Sequence, residues 1–204
     1  MKTKILLAAA VAASSAALLA FAPRATESAA PAPASAWNID PVHSSGIFRC
    51  KHFNTAYVFG RLDKITGTID FDEANPAAST MNVEVSTESI HTGQPPRDNH
   101  LKSDAFLDSK EFPTATFKSK EFKKGAGDNT FDVRGDFTLR GVTKEITVKL
   151  EKTGQGKNPQ SGADIIGFES TFTIDRLDYG VKFMPDALGH DVRITVSLEA
   201  GKKP

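Results

Sequence analysis

The stretch "TFDVRGDFTLR", Thr130–Arg140, shows the pattern that decides the fold. Its apolar residues Phe131, Val133, Phe137 and Leu139 occupy alternate positions together with Gly135, and the residues between these positions are polar or charged. Successive side chains of a β-strand point to opposite faces, so this alternation predicts a strand with one buried and one solvated face.

The same alternation recurs along most of the chain. It is clear in "EITVKLE" (145–151), "GFESTFTID" (167–175) and "VRITVSLEA" (192–200), and weaker in "SGIFRCKHF" (45–53), "GRLDKITGTIDFD" (60–72) and "MNVEVSTESI" (81–90). Seven or eight such strands joined by short turns predict an all-β domain, an antiparallel sheet closed as a barrel or folded as a sandwich. Helix is expected only as one or two turns around His100–Ser109, where Leu101, Ala105 and Phe106 share a side.

The N-terminus has the pattern of a secretory signal peptide. Lys2 and Lys4 precede an apolar, Ala-rich run from Ile5 to Ala22. We therefore assign residues 1–22 to a signal peptide, 23–36 to a flexible Ala/Pro-rich leader and 37–204 to one folded domain. A retained membrane anchor is the weaker interpretation, and the protein is expected to be exported.

Charge and cysteine content narrow the class of protein. The chain carries 25 basic and 25 acidic residues, so its overall charge gives no reason to expect nucleic acid or an anionic membrane surface as a partner. Cys50 is the only cysteine and cannot form an internal disulfide. The fold must therefore be stabilised by its apolar core.

The interior is expected to be rich in phenylalanine. The chain has 14 Phe but only two Tyr and one Trp, and Phe is the one of the three without a polar atom to satisfy when buried. Two interpretations remain open: the rings fill a core, or they line a cavity, since an eight-stranded barrel is just wide enough for either. The candidate ligand-binding phenylalanines are Phe48, Phe59, Phe71, Phe106, Phe112, Phe117, Phe131, Phe137, Phe168, Phe172 and Phe183.

A charged cluster opens the segment "RDNHLKSDAFLDSKEFPTATF", Arg97–Phe117. Asp98 could cap a short helix and Arg97 could pair with a carboxylate at the barrel rim, or Arg97 and His100 could meet the polar end of a ligand. No Gly-x-Ser-x-Gly signature is present and no catalytic residue is assigned, so the chain is not expected to be an enzyme.

A metal site is the main alternative from the residues alone. Cys50 and His52 lie two residues apart on one face of a strand and could be joined by His43 or His100 as ligands for copper or zinc. The paired Cys-x-x-Cys and His-x-x-x-His spacings are missing. A periplasmic metal-binding or redox protein therefore remains the second hypothesis. The third is a structural β-domain with a packed interior.

The order and spacing of several motifs resemble the YceI-like family. They are "WNIDPVHSSGIFRCKHF" (37–53), the Arg97–Phe117 segment with its Phe112-Pro113 pair, "GDFTLRGVTKEITV" (135–148) and "STFTIDRLDYGV" (170–181). The resemblance implies a lipocalin-like, eight-stranded antiparallel barrel in the periplasm that takes an isoprenoid chain into its cavity. It supplies no catalytic residues, and Cys50 is not part of its pattern.

The expected ligand is then a quinone tail or polyprenyl lipid, held for transport, storage or sequestration, with no cofactor besides it. Polar residues at the cavity opening would set the head-group preference, and the candidates are His52, Arg97, His100 and Arg176. Nucleic acid is not expected as a partner. We further expect transient membrane contact and a monomer or homodimer.

Overall fold

The computed structural model describes residues 36–202, which form ten antiparallel strands and one α-helix. The signal peptide and most of the leader predicted above lie outside this range. The strands are β1 (Trp37–Ile39), β2 (Ser45–His52), β3 (Ala56–Leu62), β4 (Ile65–Asp70), β5 (Thr80–Ser86), β6 (Thr114–Lys124), β7 (Thr130–Leu139), β8 (Val142–Lys157), β9 (Asp164–Asp175) and β10 (Leu188–Lys202). The helix α1 spans Pro95–Lys102.

The strands close into a barrel. Eight of them form a ring in the order β1-β4-β5-β6-β7-β8-β9-β10, and β1 returns to β10 to complete it, with Trp37 opposite Lys202. The predicted eight-stranded antiparallel barrel is thereby confirmed over the sandwich. Closure removes free strand edges from this part of the sheet.

The β2–β3 hairpin extends the barrel wall at one end. β2 pairs with residues 188–197 of β10, whereas β1 pairs with residues 200–202 of the same strand, and β3 pairs with β2. β3 and β4 are separated by Asp63 and Lys64, and Lys64 has a positive φ of 57°. On its other side β3 makes only an isolated bridge, in which Arg61 and His91 exchange main-chain hydrogen bonds of 2.8 and 2.9 Å.

The two ends of the barrel differ. At the closed end a packed core contains the fully buried Ile69, Phe131 and Phe168, and Phe71 meets the two aromatic rings edge-on at 5.1 and 5.2 Å. At the open end lie the β2–β3 hairpin tip, the long β5–β6 connection with α1, and the segment 176–187 between β9 and β10. The open end is where a ligand could enter.

The helix begins earlier than the sequence suggested. It starts at Pro95, with two prolines in its first turn where a missing N–H costs nothing, and ends at Lys102 instead of covering His100–Ser109. Within residues 36–202 no helix has the length and apolar character that a membrane span requires.

Candidate ligand-binding cavity

The barrel is not filled by its own side chains. A space in the half of the barrel nearer the open end, which we call the main cavity, has a volume of about 180 Å³. Its lining side chains come from eight strands, α1 and the connections at the open end. They are Phe48, Cys50, Leu62, Ile65, Val85, Thr87, Ile90, Leu101, Phe106, Leu107, Ala115, Phe137, Leu139, Phe172, Ile174, Arg176, Val181, Val192, Ile194 and Val196, with Gly46.

Every polar side chain of the main cavity already has a partner in the protein. The Thr87 hydroxyl donates to the Phe112 carbonyl at 2.8 Å, and the Cys50 thiol to the Gly189 carbonyl at 3.3 Å. The Arg176 guanidinium donates to four main-chain carbonyls, as described below. Because the other lining side chains are aliphatic or aromatic, the main cavity offers a ligand mainly apolar contacts.

Arg176 is a structural residue that sequence reasoning placed among the head-group candidates. Arg176 is 4% exposed, and it donates to the carbonyls of Gly189 (2.9 Å), Val181 (2.6 Å), Leu188 (3.1 Å) and Met184 (3.4 Å). Four of the five N–H hydrogens of its guanidinium are used in this way, so Arg176 fixes the segment 181–189.

A smaller space, the deep pouch, continues toward the closed end. It leaves about 70 Å³ between Met81, Phe117, Leu150 and their neighbours, and it shares Val85, Ala115, Phe137, Phe172 and Val196 with the main cavity. The closed-end core lies beyond it. A long, narrow ligand could therefore extend from the main cavity about as far as Phe117.

A third space opens the main cavity to the surface. This mouth leaves about 370 Å³ and shares Phe48, Cys50, Leu101 and Phe106 with the main cavity. Its other lining residues are Lys51, His52, Phe53, Val58, Arg97, His100, Phe183, Met184 and Leu188. Among the candidate head-group residues, His52, Arg97 and His100 thus lie at the mouth, while Arg176 lies inside.

The charged cluster is arranged differently from the prediction. Arg97 does not pair with a carboxylate but donates to the Thr92 hydroxyl (2.7 Å) and carbonyl (3.0 Å). Asp98 lies within α1 and accepts from the Thr92 N–H at 2.8 Å, so it is not an N-cap. The Thr92 hydrogen bonds to Asp98 hold the pKa of its carboxyl below the usual range. Arg97 and Asp98 together fix α1 against the preceding loop.

His100 is part of an aromatic group at the mouth. Its ring lies 5.0 Å from that of Phe106 and 4.9 Å from that of Phe183, both edge-on. These contacts place α1 beside the segment 181–189. Movement of either one would change the width of the mouth.

The predicted phenylalanines fall into four groups. Phe48, Phe106, Phe117, Phe137 and Phe172 line the main cavity or the deep pouch, and Phe183 lies at the mouth. Phe71, Phe131 and Phe168 belong to the closed-end core. Phe59 is on the outer face of the barrel, 58% exposed, because β3 turns Val58 and Gly60 inward instead. Phe112 covers the β7–β8 turn, where a Cβ on Gly141 would meet its ring at 2.6 Å.

Five of the predicted phenylalanines therefore lie outside the main cavity, the deep pouch and the mouth. Alternation shows which residues share a face of a strand. It does not distinguish the packed closed end of a barrel from the main cavity, and it does not show which set of alternate residues in β3 faces inward. Sequence reasoning also missed the aliphatic lining, such as Ile90, Leu107 and Val181, which lies in loops without a regular pattern.

The predicted metal ligands do not assemble. In the part of the chain that the structure describes, the single group of three potential ligands is Asp40, His43 and Glu199, which lies at the surface away from Cys50 and His52. There the His43 ring accepts or donates a 2.8 Å hydrogen bond with Asp40, which lowers the pKa of Asp40 and raises that of His43. An exposed ion pair accounts for this contact.

Gly60 provides a test of how tightly the mouth is packed. A Cβ there would lie 2.4 Å from the Phe48 ring and 2.8 Å from Thr92 Cγ2. We expect Gly60→Ala to force Phe48 aside and to lower the free energy of unfolding by about 1–3 kcal/mol in urea denaturation. The matched control is Gly154→Ala, where a Cβ meets nothing within 4 Å. Equal stability of the two variants would contradict the described packing.

Comparison with known proteins identifies the relatives of this chain. The profile of a family described as "YceI-like domain" matches residues 37–200. The protein YceI of Escherichia coli is 37% identical over 174 residues, which cover 84% of this chain and 90% of the relative.

Two solved structures resemble the barrel. BcnA of Burkholderia cenocepacia superposes with a TM-score of 0.72 at 21% identity, over 79% of this chain and 99% of its own. A structure described as a polyisoprenoid binding domain from Saccharophagus degradans gives 0.62 at 16% identity, over 82% and 98%. At these identities the likeness concerns the fold.

Proposed function

The chain belongs to the YceI-like family, and from this premise we propose that it binds an isoprenoid lipid, with the hydrocarbon chain in the main cavity and the head group at the mouth. A structural relative described as a polyisoprenoid binding domain supports the ligand class. We propose further that the protein is exported to the periplasm, where it carries, stores or sequesters the lipid without chemical change.

The observation that carries this proposal is the chemistry of the main cavity. It is open to the surface through the mouth, and its polar side chains are all satisfied by main-chain carbonyls. A ligand with hydrogen-bonding groups along its length would lose its water contacts there without replacing them. A branched hydrocarbon chain makes no hydrogen bonds to water and therefore loses none when it enters the main cavity.

Apolar burial alone supplies enough affinity. At ~0.8 kcal/mol per buried CH₂-sized group, each five-carbon isoprene unit gains up to ~4 kcal/mol on leaving water. A few buried units would approach the practical limit near about −18 kcal/mol before the costs of ordering the chain are subtracted. Tail binding therefore needs no polar contact.

Discrimination between lipids must then come from the mouth. One methylene more or less changes binding by only about 1–3 kcal/mol, so tails of similar length are poorly distinguished. Arg97, His52 and His100 are the polar side chains next to the opening. We assign the head-group preference to them, and an Arg97→Ala variant with unchanged affinity for the same lipid would remove Arg97 from this role.

Mass spectrometry of an organic extract from the purified protein tests the proposal. The expected result is an isoprenoid or isoprenoid-tailed quinone at a stoichiometry near one per chain. The control is the same extraction from an unrelated exported protein of similar size made in the same cells. An extract without any such lipid, together with no uptake of an added isoprenoid quinone, would contradict the proposed function.

Cys50 offers an independent readout of occupancy. Its side chain lines both the main cavity and the mouth, and burial raises the pKa of its thiol above the ordinary value, with the charge of Arg176 opposing. Because the thiolate is the reactive form, alkylation by a maleimide should be slower at neutral pH than for a free thiol and should accelerate as the pH rises.

Bound lipid should slow the alkylation of Cys50 further. We expect delipidated protein to react at least about tenfold faster than lipid-loaded protein at the same pH, since a ligand in the cavity covers the sulfur. Equal rates for the two forms would show that the lipid binds elsewhere.

A further inference from the structure

The mouth combines apolar and cationic side chains at the surface. Three of the large apolar side chains that are exposed in residues 36–202 lie there: Phe53 is 53% exposed, Met184 42% and Phe183 36%. Such side chains grouped around an opening are typical of an interaction site, whereas scattered ones need no explanation.

These apolar side chains are held in place together. Phe53 lies at the tip of the β2–β3 hairpin, and its N–H donates to the Ala187 carbonyl at 2.8 Å. The neighbouring ring of His52 lies 3.9 Å from that of Phe53. The hairpin tip and the segment 181–189 thus form one surface around the mouth.

Basic side chains outnumber acidic ones on this surface, where Asp186 is the acidic residue of the segment 181–189. Lys51, Arg97 and two histidines are among the lining residues of the mouth, which include no acidic side chain, and Lys182 directly precedes Phe183. Within the described range no ion pair neutralises Lys51, Arg97 or Lys182, although the chain as a whole carries equal numbers of acidic and basic residues. Lys51, Arg97 and Lys182 against the one carboxylate of Asp186 therefore give this surface a net positive charge.

We propose that the mouth docks on the surface of an anionic phospholipid bilayer, with Phe53, Phe183 and Met184 inserted at the level of the head groups and Lys182, Lys51 and Arg97 above the lipid phosphates. Aromatic and apolar side chains at this depth, with cations beside them, are the usual elements of interfacial binding. Docking would place the opening of the cavity against the membrane, so that a tail passes between the two without crossing water.

The docking proposal rests on the proposed function for its purpose, but it is tested separately. The measurement is flotation of the purified protein with vesicles of phosphatidylethanolamine and phosphatidylglycerol, and with vesicles of phosphatidylcholine alone. We expect binding to the anionic vesicles, weaker binding to the neutral ones, and a decline as salt shortens the screening length.

The chain offers matched variants for the apolar part. The double variant Phe53→Ser/Phe183→Ser removes two exposed rings at the mouth, and Tyr57→Ser/Phe59→Ser removes two from the outer face, where these rings are 48% and 58% exposed. The first should lower partition into anionic vesicles about tenfold or more, and the second should leave it within about twofold of the wild type. Unchanged urea midpoints show that both variants are folded.

Charge reversal tests the cationic part. Each unit of charge near an anionic surface changes partition about fivefold, so Lys182→Glu should lower it about 25-fold, whereas Lys149→Glu on the outer wall should lower it far less. Equal effects of the mouth and outer-face variants, or a wild-type protein that does not float with anionic vesicles, would overturn the docking proposal.

The two proposals can fail independently. An isoprenoid in the organic extract of a protein that does not bind vesicles would leave the cavity proposal intact and refute docking. Vesicle binding by a protein whose extract and uptake assay contain no isoprenoid would support docking and refute the proposed ligand.

Discussion

Two phenylalanines introduced across the barrel, Ala115→Phe and Val196→Phe together, are expected to abolish lipid retention while the protein remains folded. Ala115 and Val196 line both the main cavity and the deep pouch. Their strands β6 and β10 stand four places apart in the ring of eight and so form opposite walls. The new rings would meet in the space that a tail requires, and neither adds a polar atom that would be left unpaired.

The expected loss is large. Displacing one isoprene unit removes up to ~4 kcal/mol of apolar burial, and we expect affinity to fall by about 100-fold or more. Overpacking should cost at most about 1–3 kcal/mol of stability, since the rings enter unfilled space. Titration with an isoprenoid quinone gives the affinity and urea denaturation the stability.

The matched control is the double variant Thr114→Phe/Ser197→Phe. It introduces two phenylalanines into the same strands, β6 and β10, at exposed positions on the outer face. This variant should bind lipid as the wild type does. If the inward variant also kept its lipid, the ligand would have to bind outside the main cavity.

Replacement of Arg176 by methionine is expected to cause the largest loss of stability. The guanidinium is buried and donates to the carbonyls of Val181, Met184, Leu188 and Gly189, of which Gly189 also accepts from the Cys50 thiol. A buried acceptor left without a donor costs about 1–3 kcal/mol. Because some of these carbonyls can turn toward water, we expect the free energy of unfolding to fall by about 3 kcal/mol in total.

The substitution should also make the segment 181–189, which borders the mouth, more mobile. The segment that Arg176 fixes carries Phe183 and Met184, so lipid should dissociate faster from Arg176→Met. Arg176→Lys should not restore stability, because an ammonium group lacks the planar spread of donors that reaches four carbonyls. Arg193→Met, an exposed position on β10, is the control, and an equally small effect at both sites would contradict the structural role.

The strands were predictable because each is half buried. In β7 the inward residues Phe131, Val133 and Phe137 are buried, in agreement with the alternation of Thr130–Arg140. Barrel closure could not be read from the residues alone, because it depends on the pairing of Trp37 with Lys202 from the two ends of the domain. The family resemblance decided between barrel and sandwich, and the structure confirms the barrel.

The position of the helix and the parity of one strand were harder to predict. Pro95 and Pro96 mark the first turn of α1, a signal that was available in the sequence but outweighed by the apolar spacing further along. Phe59 faces outward because the tight β2–β3 turn pairs it with the outward Arg49. A shift of one residue in that register would have turned Phe59 inward.

The empty part of the barrel was not visible in the sequence. Phe131 and Phe137 occur on the same face of β7, yet the first is packed in the closed-end core and the second lines the main cavity. Their surroundings differ because Phe137 lies nearer the open end than Phe131, and because β5 ends at Ser86, where the connection carrying α1 begins. The spacing of apolar residues along one strand reveals neither the position along the barrel axis nor the length of a neighbouring strand.

The central claim is that the main cavity holds the tail of an isoprenoid lipid. A crystal structure of the protein loaded with an isoprenoid quinone tests it most directly. We expect continuous density for the lipid chain from the mouth, past Phe48 and Phe106, toward Phe117, with the head group near Arg97 and His100. Side chains closed over an empty barrel, or a lipid bound to the outer wall, would contradict it.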